Sequence, residues 1–341
     1  MRIKTLLAAS AAVSAFAMIG TAAAQDLTQT IQERDELNCG VSTGLAGFSN
    51  PDSEGNWTGL DVDVCKAVAA AVLGDDDAVS YTPLTAQQRF TALQAGEVDI
   101  LSRNTTWTLT RDTSLGLHFA GVTFYDGQGF MVPADIEVDS ALDLDGASVC
   151  VQPGTTTELN LADYFRANDM EFEPVVIEQL EEVNAAYFSG RCDVYTTDRS
   201  GLASIRATVA DNPSDHVILP ETISKEPLGP AVRQGNDQFL NIVKWVVFAL
   251  VEAEELGVNS ENLDEMMDSE NPGIQRLLGV SPGMGEHLGL DESWAYDVIA
   301  AVGNYGEIFD RNVGPDTAVG LDRGVNDLWT NGGIMYAMPV R

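Results

Sequence analysis

The sequence predicts a two-lobed α/β protein in which each lobe is built on a parallel-rich sheet. From Leu37 the chain alternates short β-rich runs with amphipathic helical segments, and the alternation restarts at Ser148. Two extended segments flank the second series, Gly127–Pro133 and the three-proline run Leu219–Pro230. Two βαβ series joined by two crossovers indicate two lobes around a hinged cleft.

The first series starts lobe one and the second forms lobe two. Strands are expected in lobe one at Leu37–Val41, Val79–Thr82 and Val98–Leu101, with helices at Asp61–Leu73 and Thr85–Ala95. Strands are expected in lobe two at Ser148–Val151, Val175–Ile177, Cys192–Tyr195 and His216–Leu219. The strand Ala231–Arg233 and a helix from Gln238 are predicted to return to lobe one. Charges interrupt this apolar helix, so it reads as a core helix and not as a membrane span.

The N-terminal residues 1–24 are predicted to be a cleavable secretory signal. Arg2 and Lys4 precede the apolar stretch Leu6–Ile19, and Ala22–Ala24 supply a small-residue cleavage site. A membrane anchor is the alternative, and the short, Ala-rich stretch disfavours it. Export to the periplasm follows, and the formal net charge of −34 excludes nucleic acid and anionic lipid as expected partners.

Four cysteines in an exported chain favour disulfides, although four cysteines allow three pairings. Cys39 lies on the first predicted strand and Cys65 on the first helix of the same lobe. Cys150 and Cys192 lie on strands of lobe two. We therefore predict the pairs 39–65 and 150–192, with four buried free thiols as the alternative.

A candidate anion site lies in the run Asp99–Arg111, where a short apolar strand passes into hydroxyl, amide and guanidinium side chains. The planar guanidinium of Arg111 matches the geometry of a carboxylate. Thr106 and Asn104 can complete the hydrogen bonds of a small ligand. Turn capping is the alternative role for these two residues.

Two segments of lobe two complete the predicted site. Gly154 opens a helix at which the backbone N–H groups of Thr155 and Thr156 are available to a carboxylate. Asp198 follows the Cys192–Tyr195 strand and offers an acceptor to an ammonium group. Ligands of parallel-sheet proteins bind at the carboxyl ends of strands, where all these segments are predicted to lie.

These segments, in this order, resemble the amino-acid-binding periplasmic proteins of ABC importers. Gly55–Asp63 resembles the turn and helix entry G-x-x-x-G-[FL]-D-[IV]-D of that family, and Arg89–Asp99 resembles its helix–glycine–strand step. The resemblance spans Glu36 to Leu256. It implies the type II periplasmic binding protein fold and a protein that is not an enzyme. Arg111 and the Thr155–Thr156 turn would bind a ligand α-carboxylate, Asp198 would bind its α-ammonium, and inner-membrane permease subunits would receive the ligand.

Residues beyond Ser260 resemble the helical C-terminal extension of the general L-amino-acid binding subgroup, which implies broad specificity. Leu45 stands where single-substrate relatives often place an aromatic residue, and Phe48 matches an aromatic slightly further on; both are expected to touch the ligand. The expected division is 25–129 with 222–260 as lobe one, 130–221 as lobe two, and 261–341 packed on lobe one, remote from the ligand. A monomer is expected.

Two other functional classes stay open at this point. A dehydratase-like periplasmic enzyme on the same fold needs a general acid or base in the cleft, and no histidine falls on the ligand segments. A sensory ligand-binding module is disfavoured because no signalling segment follows. The three histidines match no metal-ligand spacing, so no metal or other cofactor is expected.

Overall fold

The computed structural model describes residues 26–341, so the predicted signal at 1–24 lies outside the described residues. Two five-stranded sheets and two two-stranded ribbons organise the chain. The strands are β1 Leu37–Val41, β2 Asn50–Pro51, β3 Trp57–Thr58, β4 Val79–Pro83, β5 Ile100–Leu101, β6 Leu117–Phe119, β7 Phe124–Asp126, β8 Gln128–Pro133, β9 Ser148–Val151, β10 Glu173–Val176, β11 Val194–Asp198, β12 His216–Ile218, β13 Glu226–Leu228 and β14 Ala231–Arg233.

The helices surround the two sheets and form most of the C-terminal region. They are α1 Leu27–Arg34, α2 Leu60–Leu73, α3 Arg89–Ala95, α4 Leu109–Ser114, α5 Thr156–Ala167, α6 Leu180–Phe188, α7 Arg199–Thr208, α8 Asp237–Glu255, α9 Leu263–Met266, α10 Pro272–Leu277, α11 Met284–Leu288, α12 Trp294–Val302 and α13 Tyr305–Asn312. Among residues 26–341, no helix has the length and apolar character needed to cross a membrane.

The sheet of lobe one has the order β4-β1-β5-β14-β6. Strands β4, β1 and β5 are parallel, and the returning strand β14 is antiparallel to its neighbours. Helix α3 begins at Arg89, later than the predicted Thr85. Residues 86–88 form a turn before the helix; the Thr85 hydroxyl accepts a hydrogen bond from the Gln88 N–H (3.2 Å) and donates to Glu178 of lobe two (2.8 Å).

The sheet of lobe two has the order β10-β9-β11-β8-β12. Strands β10, β9 and β11 are parallel, while β8 is antiparallel to both β11 and β12. The prediction that Gly127–Pro133 is a crossover is therefore wrong, and the expected lobe boundary after residue 129 falls inside β8. The reason is burial, because Phe130, Met131 and Val132 are all within the core.

The connection between the lobes is the antiparallel ribbon of β7 and β13, called here the hinge ribbon. The chain leaves lobe one through β7 and returns through β13. Tyr125 lies opposite Pro227, and the backbone groups of both residues face away from the ribbon. The Pro227 carbonyl accepts from the Trp107 N–H (2.8 Å), and the Tyr125 N–H and C=O bond the side-chain amide of Asn326, at 2.6 and 3.0 Å.

Helix α2 shows how the sequence builds lobe one. Gly59 precedes it at a φ of 134°, and a Cβ there would lie 2.2 Å from the Phe48 carbonyl oxygen, so only glycine fits. The helix is apolar and almost wholly buried. The Cys39–Cys65 disulfide ties it to β1, with Cα atoms 6.3 Å apart.

The second disulfide, Cys150–Cys192, joins β9 to the segment before β11, with Cα atoms 5.7 Å apart. Both predicted pairings are confirmed. No free cysteine remains among the described residues.

The C-terminal helices α10–α13 pack on α2 or α8 of lobe one, and α9 packs on α12. Two ion pairs fasten them: Arg311 to Asp63 of α2 (2.8 Å), and Arg323 to Glu254 of α8 (3.0 Å). The extension was expected to be remote from the ligand site. Through Asn326 it reaches the hinge ribbon itself.

Candidate ligand-binding site

Arg111 lies at the contact between the two lobes. It sits on α4, whose N-terminus is capped by the Thr108 hydroxyl. Its guanidinium donates to the Thr106 carbonyl (2.9 Å) and, across the cleft, to the Gly154 carbonyl (3.4 Å). Burial lowers the pKa of Arg111 to about 10, and the nearby carboxylates Glu226 and Asp198 oppose that shift. The group therefore stays cationic at neutral pH and retains N–H donors for a ligand.

Asp198 is the last residue of β11 and faces the same contact from lobe two. It is 6% exposed, and it makes no capping bond to the N-terminus of α7. Within the described chain, no residue donates a hydrogen bond to its carboxylate. Burial raises its pKa well above the ordinary value, the carboxylates of Asp126 and Glu226 raise it further, and Arg89 and Arg111 oppose them. A buried carboxylate without a donor suits a bound cation.

Thr106 and Thr156 meet across the cleft with their hydroxyl oxygens 3.3 Å apart. Both hydroxyls lie within hydrogen-bond distance of Glu226. The backbone N–H of Trp107 donates to the Pro227 carbonyl (2.8 Å), so the loop carrying Thr106 is held against β13 of the hinge ribbon. The predicted anchors of both lobes and the hinge thus converge on one place.

Asn104 and Thr155 have more local roles in the structure. Asn104 adopts a positive φ of 28°, and its backbone N–H donates to Asp61 (2.7 Å). Its side-chain Oδ1 is buried without a donor among residues 26–341, which leaves it available to a ligand. The Thr155 hydroxyl caps α5 by accepting from the Glu158 N–H (3.0 Å) and donates to the Gln152 carbonyl (2.7 Å). A ligand can therefore reach Thr155 only through its backbone N–H.

Leu45 and Phe48 are not brought together with the polar anchors. Phe48 is 1% exposed and packs edge-on against Phe124, with ring centroids 5.4 Å apart. Leu45 is also buried in the core of lobe one. The loop between them does meet lobe two, because the Ser204 hydroxyl donates to the Ala46 carbonyl (2.8 Å). Ligand contact by Leu45 and Phe48 stays a prediction.

Arg89 is a further candidate site residue, which the sequence reasoning missed. It opens α3, is 3% exposed, and among the described residues donates only to the Thr105 hydroxyl (3.3 Å). Its Nε is buried with no acceptor in the described structure. Burial lowers the pKa of Arg89 well below its ordinary value, and the positive charges of Arg111 and Arg103 lower it further. Its place at the start of a helix after a strand was the available signal.

Two acidic residues of the hinge ribbon were also missed. Asp126 and Glu226 lie opposite each other in the ribbon. Burial raises the pKa of Asp126 to about 6, against hydrogen bonds from Ser200 and Gly127. Glu226 is 1% exposed. No sequence signal marked these two residues, because their burial beside the lobe contact is visible only in the structure.

No group of three or more histidine, cysteine or acidic side chains in the described chain is arranged to hold a metal ion.

The sequence model of one protein family, the bacterial extracellular solute-binding proteins, family 3, matches residues 37–261. The chain belongs to this family. Every site residue named above lies within the matched range, whereas α9–α13 lie beyond it.

Two named relatives match almost the whole chain. The general L-amino acid-binding periplasmic protein AapJ of Rhizobium johnstonii is 57% identical, with 98% of this chain and 99% of that protein covered. The glutamate/glutamine/aspartate/asparagine-binding protein BztA of Rhodobacter capsulatus is 54% identical, covering 96% of this chain and 97% of that protein.

A solved structure has the same architecture. It is a periplasmic binding protein of an ABC transporter from Brucella ovis with glutathione bound, at 56% identity and a TM-score of 0.91. The match covers 93% of this chain and 99% of that one. The type II two-lobed fold predicted from the sequence is confirmed.

Proposed function

We propose that this protein is a periplasmic receptor that captures L-amino acids of several side-chain classes between its lobes and delivers them to the permease of an ABC importer. The observation that carries the proposal is the pairing of the buried, donor-free carboxylate of Asp198 with the buried guanidinium groups of Arg111 and Arg89 at the lobe contact, where the Arg89 Nε has no acceptor among residues 26–341. Asp198 would bind the α-ammonium, and Arg111 with the N–H groups of Thr155 and Thr156 would bind the α-carboxylate.

Hinge closure follows from where the anchors lie. Arg111 belongs to lobe one and Asp198 to lobe two, so one ligand must touch both lobes to use both anchors. A ligand with this differential affinity shifts the hinge equilibrium toward the closed form. We take residues 26–127 with 222–260 as lobe one and 128–221 as lobe two.

Breadth of specificity is supported by what the two anchors recognise. They address only the backbone part of an amino acid, and the names of AapJ and BztA indicate several ligands for each relative. Arg89 adds a cationic group that suits a side-chain carboxylate or amide oxygen. We therefore expect acidic and amide side chains to bind at least as well as aliphatic ones.

Larger γ-linked ligands are compatible with the same anchors. A γ-glutamyl peptide such as glutathione keeps its α-ammonium and α-carboxylate free. A cavity of about 1080 Å³ borders the site and is lined by Asp126 and Glu226 as well as by the basic residues Arg206 and Lys225. These cations suit the distal carboxylate of such a peptide.

Titration calorimetry against L-glutamate, L-glutamine, L-leucine, L-alanine and D-glutamine tests the proposal. Several L-amino acids should bind with free energies within about 2 kcal/mol of each other, and the D-enantiomer much more weakly. Tight binding of one amino acid with the others silent would refute broad specificity. Silence toward the whole panel would refute the amino-acid proposal, and mass-spectrometric turnover of any ligand would favour the enzymatic alternative.

A further inference from the structure

We infer that Glu226 is a positioning residue of this site: it takes the protons of the Thr106 and Thr156 hydroxyls, so that both oxygens present only lone pairs to the ligand's α-ammonium. The inference rests on the proposed amino-acid function. It also revises the expected role of Thr106, from helping to hold a ligand carboxylate to accepting from the ammonium.

The hydrogen bonds of Glu226 carry the first step. Its Oε2 accepts from Thr106 (2.5 Å) and Thr156 (2.7 Å), and its Oε1 accepts from Asn160 (2.8 Å) and Ser224 (2.5 Å). An ionised carboxylate has about four lone-pair positions and no donor. The four donors therefore match an anionic Glu226 that is fully satisfied although it is 1% exposed.

The second step is the proton count of the two hydroxyls. A threonine hydroxyl has a single hydrogen to donate and two lone pairs with which to accept. Once Thr106 and Thr156 each donate to Glu226, no proton remains for the 3.3 Å contact between their oxygens. Toward the cleft the two oxygens can only accept, which attracts an ammonium and repels a carboxylate.

The third step is the separation of the two ends of the ligand. The acceptors Thr106, Thr156 and Asp198 form an ammonium pole, whereas Arg111 and the free N–H groups at the start of α5 form a carboxylate pole. Glu226 makes this separation by fixing two hydroxyls that would otherwise suit either group. It does so from the hinge ribbon, with Thr106 on lobe one and Thr156 and Asn160 on lobe two.

The test compares a ligand that has the ammonium with one that lacks it. L-Glutamate is titrated into wild type and into Glu226→Gln. Glutarate, which retains both carboxylates but lacks the ammonium, is titrated into the same two proteins, and its affinity is measured by competition where its binding is weak. Glutamine at 226 supplies an N–H that forces the hydroxyls to turn. L-Glutamate affinity should fall about tenfold or more, the scale of one charge-assisted hydrogen bond, while glutarate affinity changes by less than about twofold or rises.

Glu178→Gln is the matched control, because Glu178 also accepts a threonine hydroxyl across the lobes, from Thr85, away from the ligand anchors. A purely structural role in closure predicts equal losses for both ligands, as we expect for this control. If Glu226→Gln fails to fold, Thr156→Val and Thr156→Ser replace it. Valine should weaken L-glutamate selectively and serine should restore it.

Equal losses for L-glutamate and glutarate in Glu226→Gln, or unchanged affinity for both, would overturn the inference. Equal losses for the two ligands in Thr156→Val would do the same. Wild type that binds no amino acid in the calorimetric panel would instead refute the proposed function. The two failures are therefore distinguishable.

Discussion

Replacing Asp198 by asparagine should stabilise the protein while destroying ligand binding. The Asp198 carboxylate is buried and receives no hydrogen bond from residues 26–341, and two further carboxylates lie near it. Asparagine keeps the shape and removes the charge. An unpaired buried amide still costs about 1–3 kcal/mol, but an unpaired buried charge costs more, so we expect Asp198→Asn to raise the free energy of unfolding by about 2 kcal/mol. For a chain of this size that corresponds to a rise of about 3 °C in Tm.

The gain in the free energy of unfolding from Asp198→Asn should depend on pH, and it should shrink as pH falls. Burial raises the folded-state pKa of Asp198 above its unfolded value, so the folded protein binds more protons than the unfolded chain between those two pKa values. Wild-type stability therefore improves as pH falls through the folded pKa toward the unfolded one, and the advantage of Asp198→Asn shrinks. Asp126, whose pKa is raised to about 6, contributes in the same direction in both proteins.

The assay is thermal unfolding of ligand-free wild type and Asp198→Asn from pH 8 to pH 5, repeated with saturating L-glutamate. Wild type at about a thousandfold excess of ligand over Kd should gain about 4 kcal/mol, and the variant should gain little. Asp139→Asn is the control, since Asp139 is an exposed carboxylate on the same lobe. A variant that is less stable than wild type without ligand, or that keeps its ligand-induced shift, would refute the reasoning.

Three further predictions concern the anchor, the cysteines and the extension. Arg111→Lys keeps the charge but loses the planar fork, so calorimetry should show affinity lower by about 2 kcal/mol; equal affinity in Arg111→Ala would remove Arg111 from the site. Mature protein from the periplasm, denatured in an alkylating reagent without reductant, should show no alkylated cysteine by mass spectrometry. Two labelled cysteines would contradict the disulfides. Asn326→Ala should lower the denaturation free energy by about 1–3 kcal/mol through the two unpaired groups of Tyr125, and an unchanged urea midpoint would contradict this.

The elements that the sequence predicted well are those decided by local pattern. Leu37–Val41 and Ser148–Val151 have the predicted bounds because a short β-branched or apolar run ends at turn residues. The disulfide pairs could be predicted because strand and helix assignments already placed each pair in one lobe. The convergence of Arg111, Thr106 and Asp198 at the lobe contact could be predicted because they end strands or follow them, where parallel sheets bind ligands.

The parts that could not be predicted depend on contacts between distant segments. Gly127–Pro133 reads as a crossover by its glycines and proline, and only its burial between β11 and β12 makes it a core strand. Arg89 carries only a weak local sign, its place at a helix start after a strand, and Glu226 carries none; each is a candidate because the two lobes and the hinge meet around it. Phe48 is aromatic and close in sequence to a cleft loop, yet its ring packs on Phe124 of the hinge ribbon.

The side-chain amide of Asn326 has a mechanical consequence for the hinge. It forms hydrogen bonds with the outward-facing edge of β7 at Tyr125, while the inward-facing edge pairs with β13. Because β7 is hydrogen-bonded along both edges, we expect rotation of lobe two to be confined to the short segment between Tyr125 and β8. The extension thereby fixes the pivot, and a longer or looser C-terminal loop would move the axis about which the two lobes swing.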